Sequence, residues 1–266
     1  MKRYMKQIDV FIATYQRQEL TRNTLKYLKE RTTYPYRLFL LDNGGNEEFK
    51  DQVDYYVGFS KNMGIHALWN VALSLAESEY FITSDNDILV PDLGFTSFMT
   101  SEQLARQTAT EIAIRTSAGE RFDWLSRIVG FMDERPDYGA ISLHPHIFIG
   151  ATGIDPQDPE DVKERNMCGA VMRIMRTEAV RKAGGWEHKI EAGRNHEEKT
   201  ICSRLQTAGY KVGITSRIRA FHPFPPNWGY PPEFSPEMQK HNPQLEQEVQ
   251  RFGNRDAYDP KTFLPK

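Results

Sequence analysis

The chain has 266 residues, 34 Lys+Arg against 36 Asp+Glu and a formal net charge of −2. That length allows one large α/β domain or two small ones, with volume for a core that needs no disulfides. The near balance of charge sets aside a nucleic-acid binder, and no apolar window approaches the length of a transmembrane helix. The basic start Met1-Lys2-Arg3-Tyr4 is not followed by the apolar core of a signal peptide. Cys168 and Cys202 lie far apart and match no metal spacing, so they read as buried thiols of a reducing cytoplasm.

Ile8-Asp9-Val10-Phe11-Ile12-Ala13 reads as a first strand, and Leu20, Thr24, Leu25 and Leu28 then recur at helical spacing. Arg37–Leu41 is a second strand, halted by the turn formers Asp42-Asn43-Gly44-Gly45. A weaker strand is expected at Tyr55-Tyr56-Val57, a helix from about Ile65 to Ala76, and a buried strand at Tyr80-Phe81-Ile82-Thr83. Strands alternating with helices predict a parallel, doubly wound sheet in this half.

The second half is less regular. Trp124, Leu125, Ile128, Val129 and Met132 mark a helix that ends before Arg135-Pro136. Strands are expected at Gly139–Leu143 and Ala170–Ile174, with a polar loop from Gly150 to Arg165 between them. Thr177 is placed to cap a short helix through Ala183, which Gly184-Gly185 stops. A helix from about Glu197 to Ala208 and a strand from Val212 to Phe221 follow. The tail from Pro223 is rich in proline and aromatics and reads as an extended arm packed on the same domain.

The chemistry gathers at strand ends. Asp85-Asn86-Asp87 closes the strand at Tyr80–Thr83, where open α/β sheets bind ligands, and hard carboxylate oxygens there suit Mg²⁺ or Mn²⁺. Turn chemistry alone also explains an Asp-Asn-Asp run. Thr14-Tyr15-Gln16-Arg17 and Asp42-Asn43 emerge on the same edge: Tyr can stack on a base, Asp or Asn can pair with its polar edge, and Arg can meet phosphate. Lys61 and Asn62-x-Gly64 lead into the helix carrying Asn70; Asn62 either caps that helix or helps its free amides meet an anion. Glu197 and Glu198 open a later helix, where acids favour the dipole and where a carboxylate can also serve as a base. His222 ends a strand and offers an imidazole to a metal placed by Asp87.

The order Thr14-Tyr15-x-Arg17, Asp42-Asn43-Gly44, Asn62-x-Gly64 with Asn70, Asp85-x-Asp87, Gly184-Gly185-Trp186, Glu197-Glu198 and His222 resembles family 2 glycosyltransferases of the GT-A fold. The resemblance covers roughly residues 7 to 222. It implies a single GT-A domain with a Rossmann-like, mostly parallel sheet flanked by helices, and inverting transfer of a sugar from a nucleotide-diphospho-sugar. A UDP-sugar is its commonest donor; the acceptor would be a saccharide, lipid-linked or protein hydroxyl. Carried over, Thr14, Tyr15, Arg17, Asp42, Asn43, Lys61, Asn62, Asn70, Asp85 and Asn86 would hold the donor. Asp87 and His222, with Asp85, would bind Mn²⁺ or Mg²⁺. Glu198 is the implied base, with Glu197 the alternative because Glu stands where the family usually has Asp. Trp186 would border the acceptor. The stretch 93–122 has no counterpart and reads as a helical insertion, so the expected layout is 1–222 for the domain and 223–266 for the arm.

Three other readings stand beside this one. A nucleotidyltransferase would carry a glycine-rich loop after the first strand, and Thr14-Tyr15-Gln16-Arg17 has none. A phosphatase with an aspartyl nucleophile would place Asp-x-Asp after its first strand. A catalytically silent nucleotide-sugar-binding protein would keep the fold without the chemistry. The location expected is cytoplasmic; peripheral membrane attachment is open, although no basic amphipathic helix calls for it.

Overall fold

Seven consecutive buried residues, Ile8–Thr14, form β1, the strand around which the N-terminal half is built. A strand that is apolar on both faces belongs inside a parallel sheet covered by helices on either side. A computed structural model of the protein describes residues 7–15, 17–45, 47–91, 123–145, 162–186 and 196–222, apart from the side chains of His196 and Arg217. The expected insertion at 93–122, the first part of the expected loop (150–161) and the arm from 223 lie outside the described residues.

β1 pairs in parallel with β2 (Tyr36–Asp42) on one side and β4 (Tyr80–Asp85) on the other, and β2 pairs in parallel with β3 (Tyr55–Gly58). The crossovers carry α1 (Gln18–Arg31) and α2 (Ile65–Leu75). Beyond β4 the sheet becomes mixed. β7 (Arg173–Arg176) runs antiparallel between β4 and β5 (Tyr138–Pro145). β5 is parallel to β8 (Lys211–Ala220), and β6 (Val162–Arg165) closes the far edge antiparallel to β8. The order is β3-β2-β1-β4-β7-β5-β8-β6. The α/β class expected from the sequence is the one observed, with a mostly parallel central sheet.

Each face of the sheet buries its own apolar layer. On one, Ile8, Val10, Ile12, Leu38, Leu40 and Ile82 meet α1 and α3 (Trp124–Glu134). On the other, Phe11, Phe39 and Phe81 meet α2, α4 (Thr177–Lys182) and α5 (His196–Thr207). This alternation is the period-2 reading of each strand made physical. The register Thr14↔Asp42 and Ala13↔Asp85 then brings three strand ends to one edge.

Three local expectations are corrected. The strand placed at Ala170–Ile174 starts only at Arg173, because Met172 sits at φ 45, a left-handed conformation that breaks a ladder. Val162–Arg165, read as loop, is an edge strand; one apolar residue followed by three charged ones gave little strand signal. Thr177 does not cap α4: its hydroxyl donates to the Ser78 carbonyl at 2.7 Å and ties α4 to the loop before β4.

α3 has a cap that the sequence reading did not single out. Asp123 Oδ1 accepts from the amides of Leu125 (2.8 Å) and Ser126 (3.0 Å). Its Oδ2 accepts from Thr33 Oγ1 and the amide of Tyr34, each at 2.8 Å, and from the Thr33 amide. One carboxylate thus caps α3 and anchors the turn after α1. Asp123→Ala should cost about 2 kcal/mol, the upper end for a lost cap, because the loop amides lose their acceptor too. A urea titration checks this; a loss below about 0.5 kcal/mol would mean that water replaces the carboxylate on both sides.

Candidate active site

Asp85 is the last residue of β4, and Asn86 and Asp87 form the turn that follows. What brings His222 to them is an isolated antiparallel bridge: the Leu89 amide donates to the Phe221 carbonyl (2.9 Å), and the Phe221 amide returns to Leu89 (2.8 Å). Leu89 lies two residues past Asp87, and Phe221 is one residue before His222. The bridge therefore seats His222 Nε2 3.3 Å from Asp87 Oδ1. Ligand atoms of Asp85, Asp87 and His222 lie within 4.8 Å of one another. Arg17, at the left-handed N-cap of α1 (φ 53), reaches Asp87 Oδ2 from the other side at 4.0 Å.

The electrostatics fit a cation. Asp87 Oδ1 is buried with the His222 imidazole 3.3 Å away, and Glu198 Oε2 is buried with no hydrogen-bond donor among the described residues. Burial raises the Asp85 carboxyl well above the usual range, and Asp87, Glu197 and Glu198 push it further, against a smaller opposing effect of Arg173. For Asp87, burial also raises the carboxyl, but His222 and Arg17 outweigh it and hold it below its ordinary value. Two carboxylate oxygens and an imidazole nitrogen within 4.8 Å of one another form a donor set that suits Mn²⁺ or Mg²⁺.

Glu197 and Glu198 stand in the first turn of α5, as expected, and the structure separates them. Glu197 is buried against Arg173, whose Nη2 donates to Oε2 at 3.0 Å and to Oε1 at 3.4 Å. Trp186 Nε1 donates to the same Oε2 at 3.0 Å. A carboxylate so enclosed is unsuited to taking a proton from an incoming hydroxyl. The Glu198 carboxyl is pushed up to about 7 by burial and then by Glu197, with Arg173 and His222 pulling it back. That is the range in which a general base works at neutral pH.

Several residues assigned to the donor also make hydrogen bonds within the scaffold. Asp42 Oδ1 accepts from the amides of Gly44 and Gly45, both at 3.0 Å, and its Oδ2 accepts from Tyr56 Oη at 2.8 Å. Asn43 donates to Asn62 Oδ1 (2.6 Å) and accepts from the Met63 amide (2.7 Å). Asn62 accepts from the Gly64 amide, so it shapes the approach to α2 without capping it. Asn86 Nδ2 donates to Thr21 Oγ1 (2.8 Å) and Thr14 Oγ1 (3.3 Å), which pins the Asp85–Asp87 turn to α1. At the same edge Tyr15 lies against Gly44, beside half-buried Lys61 and half-exposed Arg17.

Asn70 and Trp186 are joined to each other. Asn70 Nδ2 donates to the Trp186 carbonyl (3.1 Å), and its Oδ1 accepts from the Trp186 amide (2.9 Å). The clamp needs Gly185, at φ +66, because a Cβ there would meet Asn70 Oδ1 at 2.6 Å. Trp186 is fully buried and presents no face on which a sugar could stack. Its observed use is to hold Glu197. The two cysteines, remote in sequence, come together: Cys168 and Cys202 are free, buried and 3.7 Å apart at sulfur.

Arg173 is the residue that sequence reading passed over. A charge inside the apolar run Ala170–Ile174 was the available signal, since Arg is almost never fully buried without a partner. Thr21 and Thr24 gave a similar signal on the apolar face of α1; Thr24 Oγ1 donates to the Asn86 carbonyl at 2.8 Å.

Comparison with known proteins agrees with this geometry. Residues 9–99 match the profile Glycosyl transferase family 2. No curated protein sequence matches the chain. Among solved structures, the mannosyltransferase PcManGT from Pyrobaculum calidifontis, in complex with GDP-Man and Mn²⁺, is similar at TM-score 0.53 and 16% identity, over 83% of this chain and 57% of that one. GalNAc-T7 with UDP, GalNAc and Mn²⁺ is similar at 0.58 and 10% identity, over 83% and 44%. TarS 1–349 of S. aureus in complex with UDP is similar at 0.56 and 13% identity, over 96% and 73%. The chain thus spans about half the length of the first two. Among the described residues, no helix is long and apolar enough to cross a membrane.

Proposed function

From a chain that carries the family 2 glycosyltransferase signature in a GT-A fold, we propose a metal-dependent, inverting glycosyltransferase that moves a hexose from a nucleotide-diphospho-sugar to an acceptor hydroxyl. A UDP-sugar is the donor to try first. The observation that carries the reading is the Leu89–Phe221 bridge, which closes His222 onto Asp85-x-Asp87 on the edge where Glu198 also lies. Asp87, His222 and Asp85 would hold Mn²⁺ or Mg²⁺, and such an ion neutralises the charge that builds on a departing diphosphate.

The remaining work falls to the chain's own residues. Tyr15 offers a ring to the base and Arg17 a guanidinium to the phosphates, with Lys61 adding charge at the same edge. Glu198 accepts the proton of the acceptor hydroxyl as its oxygen attacks the anomeric carbon opposite the leaving group, which inverts the centre. Strand ends held in register fix donor and base relative to each other, so positioning supplies much of the rate. The acceptor is a saccharide, lipid-linked or protein hydroxyl.

Calorimetry with UDP, GDP, CDP and dTDP, with and without Mn²⁺, tests the reading. One nucleotide should bind tightly only with metal, and Asp87→Ala should weaken it at least about 100-fold, since even outer partners of a metal site cost 10–100-fold. Binding of no nucleotide under any condition would discard the transferase. Binding that ignores both metal and Asp87 would favour a silent binding protein.

A further inference from the structure

We propose that Arg173 is a positioning residue for the acceptor-activating carboxylate: by gripping Glu197 it fixes the first turn of α5 and so aims Glu198 at the Asp85–Asp87–His222 cluster. The inference rests on the transferase reading above and concerns the same site.

The register Thr83↔Arg173 sets Arg173 beside Thr83, two residues before Asp85 on the same face of β4. From there the guanidinium ties three elements together. Nε and Nη2 donate to Thr83 Oγ1, both at 3.3 Å, on the strand that ends in the metal-binding acids. Nη2 reaches Glu197 on α5. Nη1 donates to the Cys168 carbonyl at 3.5 Å. The guanidinium carbon also lies 5.7 Å from the centre of the Trp186 ring, whose Nε1 donates to the same Glu197 oxygen. Trp186 is itself fixed by Asn70 on α2.

Glu197 is therefore seated by donors from β7 and from the turn after α4. A helix held at one residue in its first turn cannot rotate about its axis, and the next residue points about 100° around it. Glu198 takes that next position. The charged groups that act on it are Glu197 on its own helix, Asp85 from β4, Arg173 from β7 and His222 just past β8. Arg173 is the fully buried cation of this set, so it also limits the repulsion that would turn Glu198 away. Structure alone does not demand a guanidinium at this position, because an apolar pair of similar volume packs as well as a buried ion pair. The match between a rigid fork and three acceptors on three elements is what a positioning role needs.

The test compares wild type, Arg173→Lys, Arg173→Met and the double variant Arg173→Met/Glu197→Met in the full chain. Donor turnover, donor KM, Mn²⁺–nucleotide affinity and thermal midpoint are read for each. Arg173→Met should lower kcat about 100-fold, as expected for a reacting group displaced by about 1 Å. Donor KM and nucleotide affinity should stay within about threefold, because the hydrogen bonds of Arg173 go to Thr83, Cys168 and Glu197 and its effect on Asp85 is a small one. Arg173→Lys should recover part of kcat, since an ammonium can pair with Glu197 but cannot also reach Thr83 and Cys168. Where Arg173→Met fails to fold, the double variant replaces it, and it should fold with kcat equally low. A double variant with wild-type kcat overturns the proposal. So does a kcat that falls only in step with nucleotide affinity and thermal midpoint. A wild type that binds nucleotide and turns it over while Arg173→Met matches it sinks this inference alone; a wild type that binds no nucleotide sinks the transferase reading and this inference together.

Discussion

Glu198→Gln should lower sugar transfer by about 10³-fold while leaving Mn²⁺-dependent nucleotide binding nearly intact, whereas Glu197→Gln should lower it about tenfold. The two residues adjoin in sequence, and their surroundings decide their roles. Glu197 accepts from Arg173 and Trp186 and is closed off by them; a glutamine oxygen in place of Oε2 still accepts from both, and only the longer bond to Oε1 is lost. Glu198 has a buried oxygen with no donor and a carboxyl pushed up to about 7 by burial and by Glu197. As the base it must be deprotonated, so kcat should rise with pH as Glu198 gives up its proton, and the glutamine variant's residual activity should lack that limb. If Glu197→Gln is the more damaging, the assignment is reversed.

A second readout needs no substrate. The folded carboxyl of Glu198 binds its proton more tightly than the unfolded one, so between the ordinary glutamate value and about 7 the native state holds more protons. The stabilising contribution is full below the ordinary value and is lost as pH rises through about 7. In the metal-free protein, Glu198→Gln removes that loss, so the variant should melt higher than wild type near pH 8 and level with it near pH 5. Equal midpoints at both would mean that Glu198 is solvated and unsuited to the role. Activity lost with stability gained is the pattern of a group held at a site for its chemistry.

Much of the frame was legible because the signals were periodic. Leu20, Leu25 and Leu28 on α1, Leu68 and Ala72 on α2, and the apolar run of β1 each state an element by spacing alone, and the structure places them there. The candidate site was legible as a set of positions. Asp85, Asp87, His222 and the pair at 197 and 198 do converge. What spacing could not tell was which polar residues serve the ligand and which serve the loops. Asp42, Asn43, Asn62 and Asn86 have the residue types of ligand contacts, yet a strand end must also satisfy its own amides, and short polar side chains do that first. Trp186 was assigned to the acceptor by resemblance alone, and spacing could not show that a fully buried indole whose Nε1 meets a carboxylate also serves as a structural tie. β7 was placed three residues early because Ala170-Val171-Met172 is apolar, and only the left-handed Met172 marks where pairing begins.

Arg173→Met alone should destabilise the protein by about 3–5 kcal/mol, while Arg173→Met/Glu197→Met should lie within about 1–2 kcal/mol of wild type. The single substitution leaves Glu197 buried without its cationic partner, facing Trp186 Nε1 alone, in a pocket that also feels Asp85 and Glu198. The double substitution removes both desolvated charges and fills the space with two flexible apolar chains. A double-mutant cycle by urea unfolding, with Glu197→Met as the fourth corner, should give a coupling of roughly 3 kcal/mol, at the top of what contacting residues show. Coupling near zero would mean that water enters and screens the pair, and with it the case for a rigid first turn of α5 would fall. Large coupling beside a stable but inactive double variant would separate two things usually confounded: the pair adds little net stability over an apolar core, and its presence here answers to where Glu198 must point.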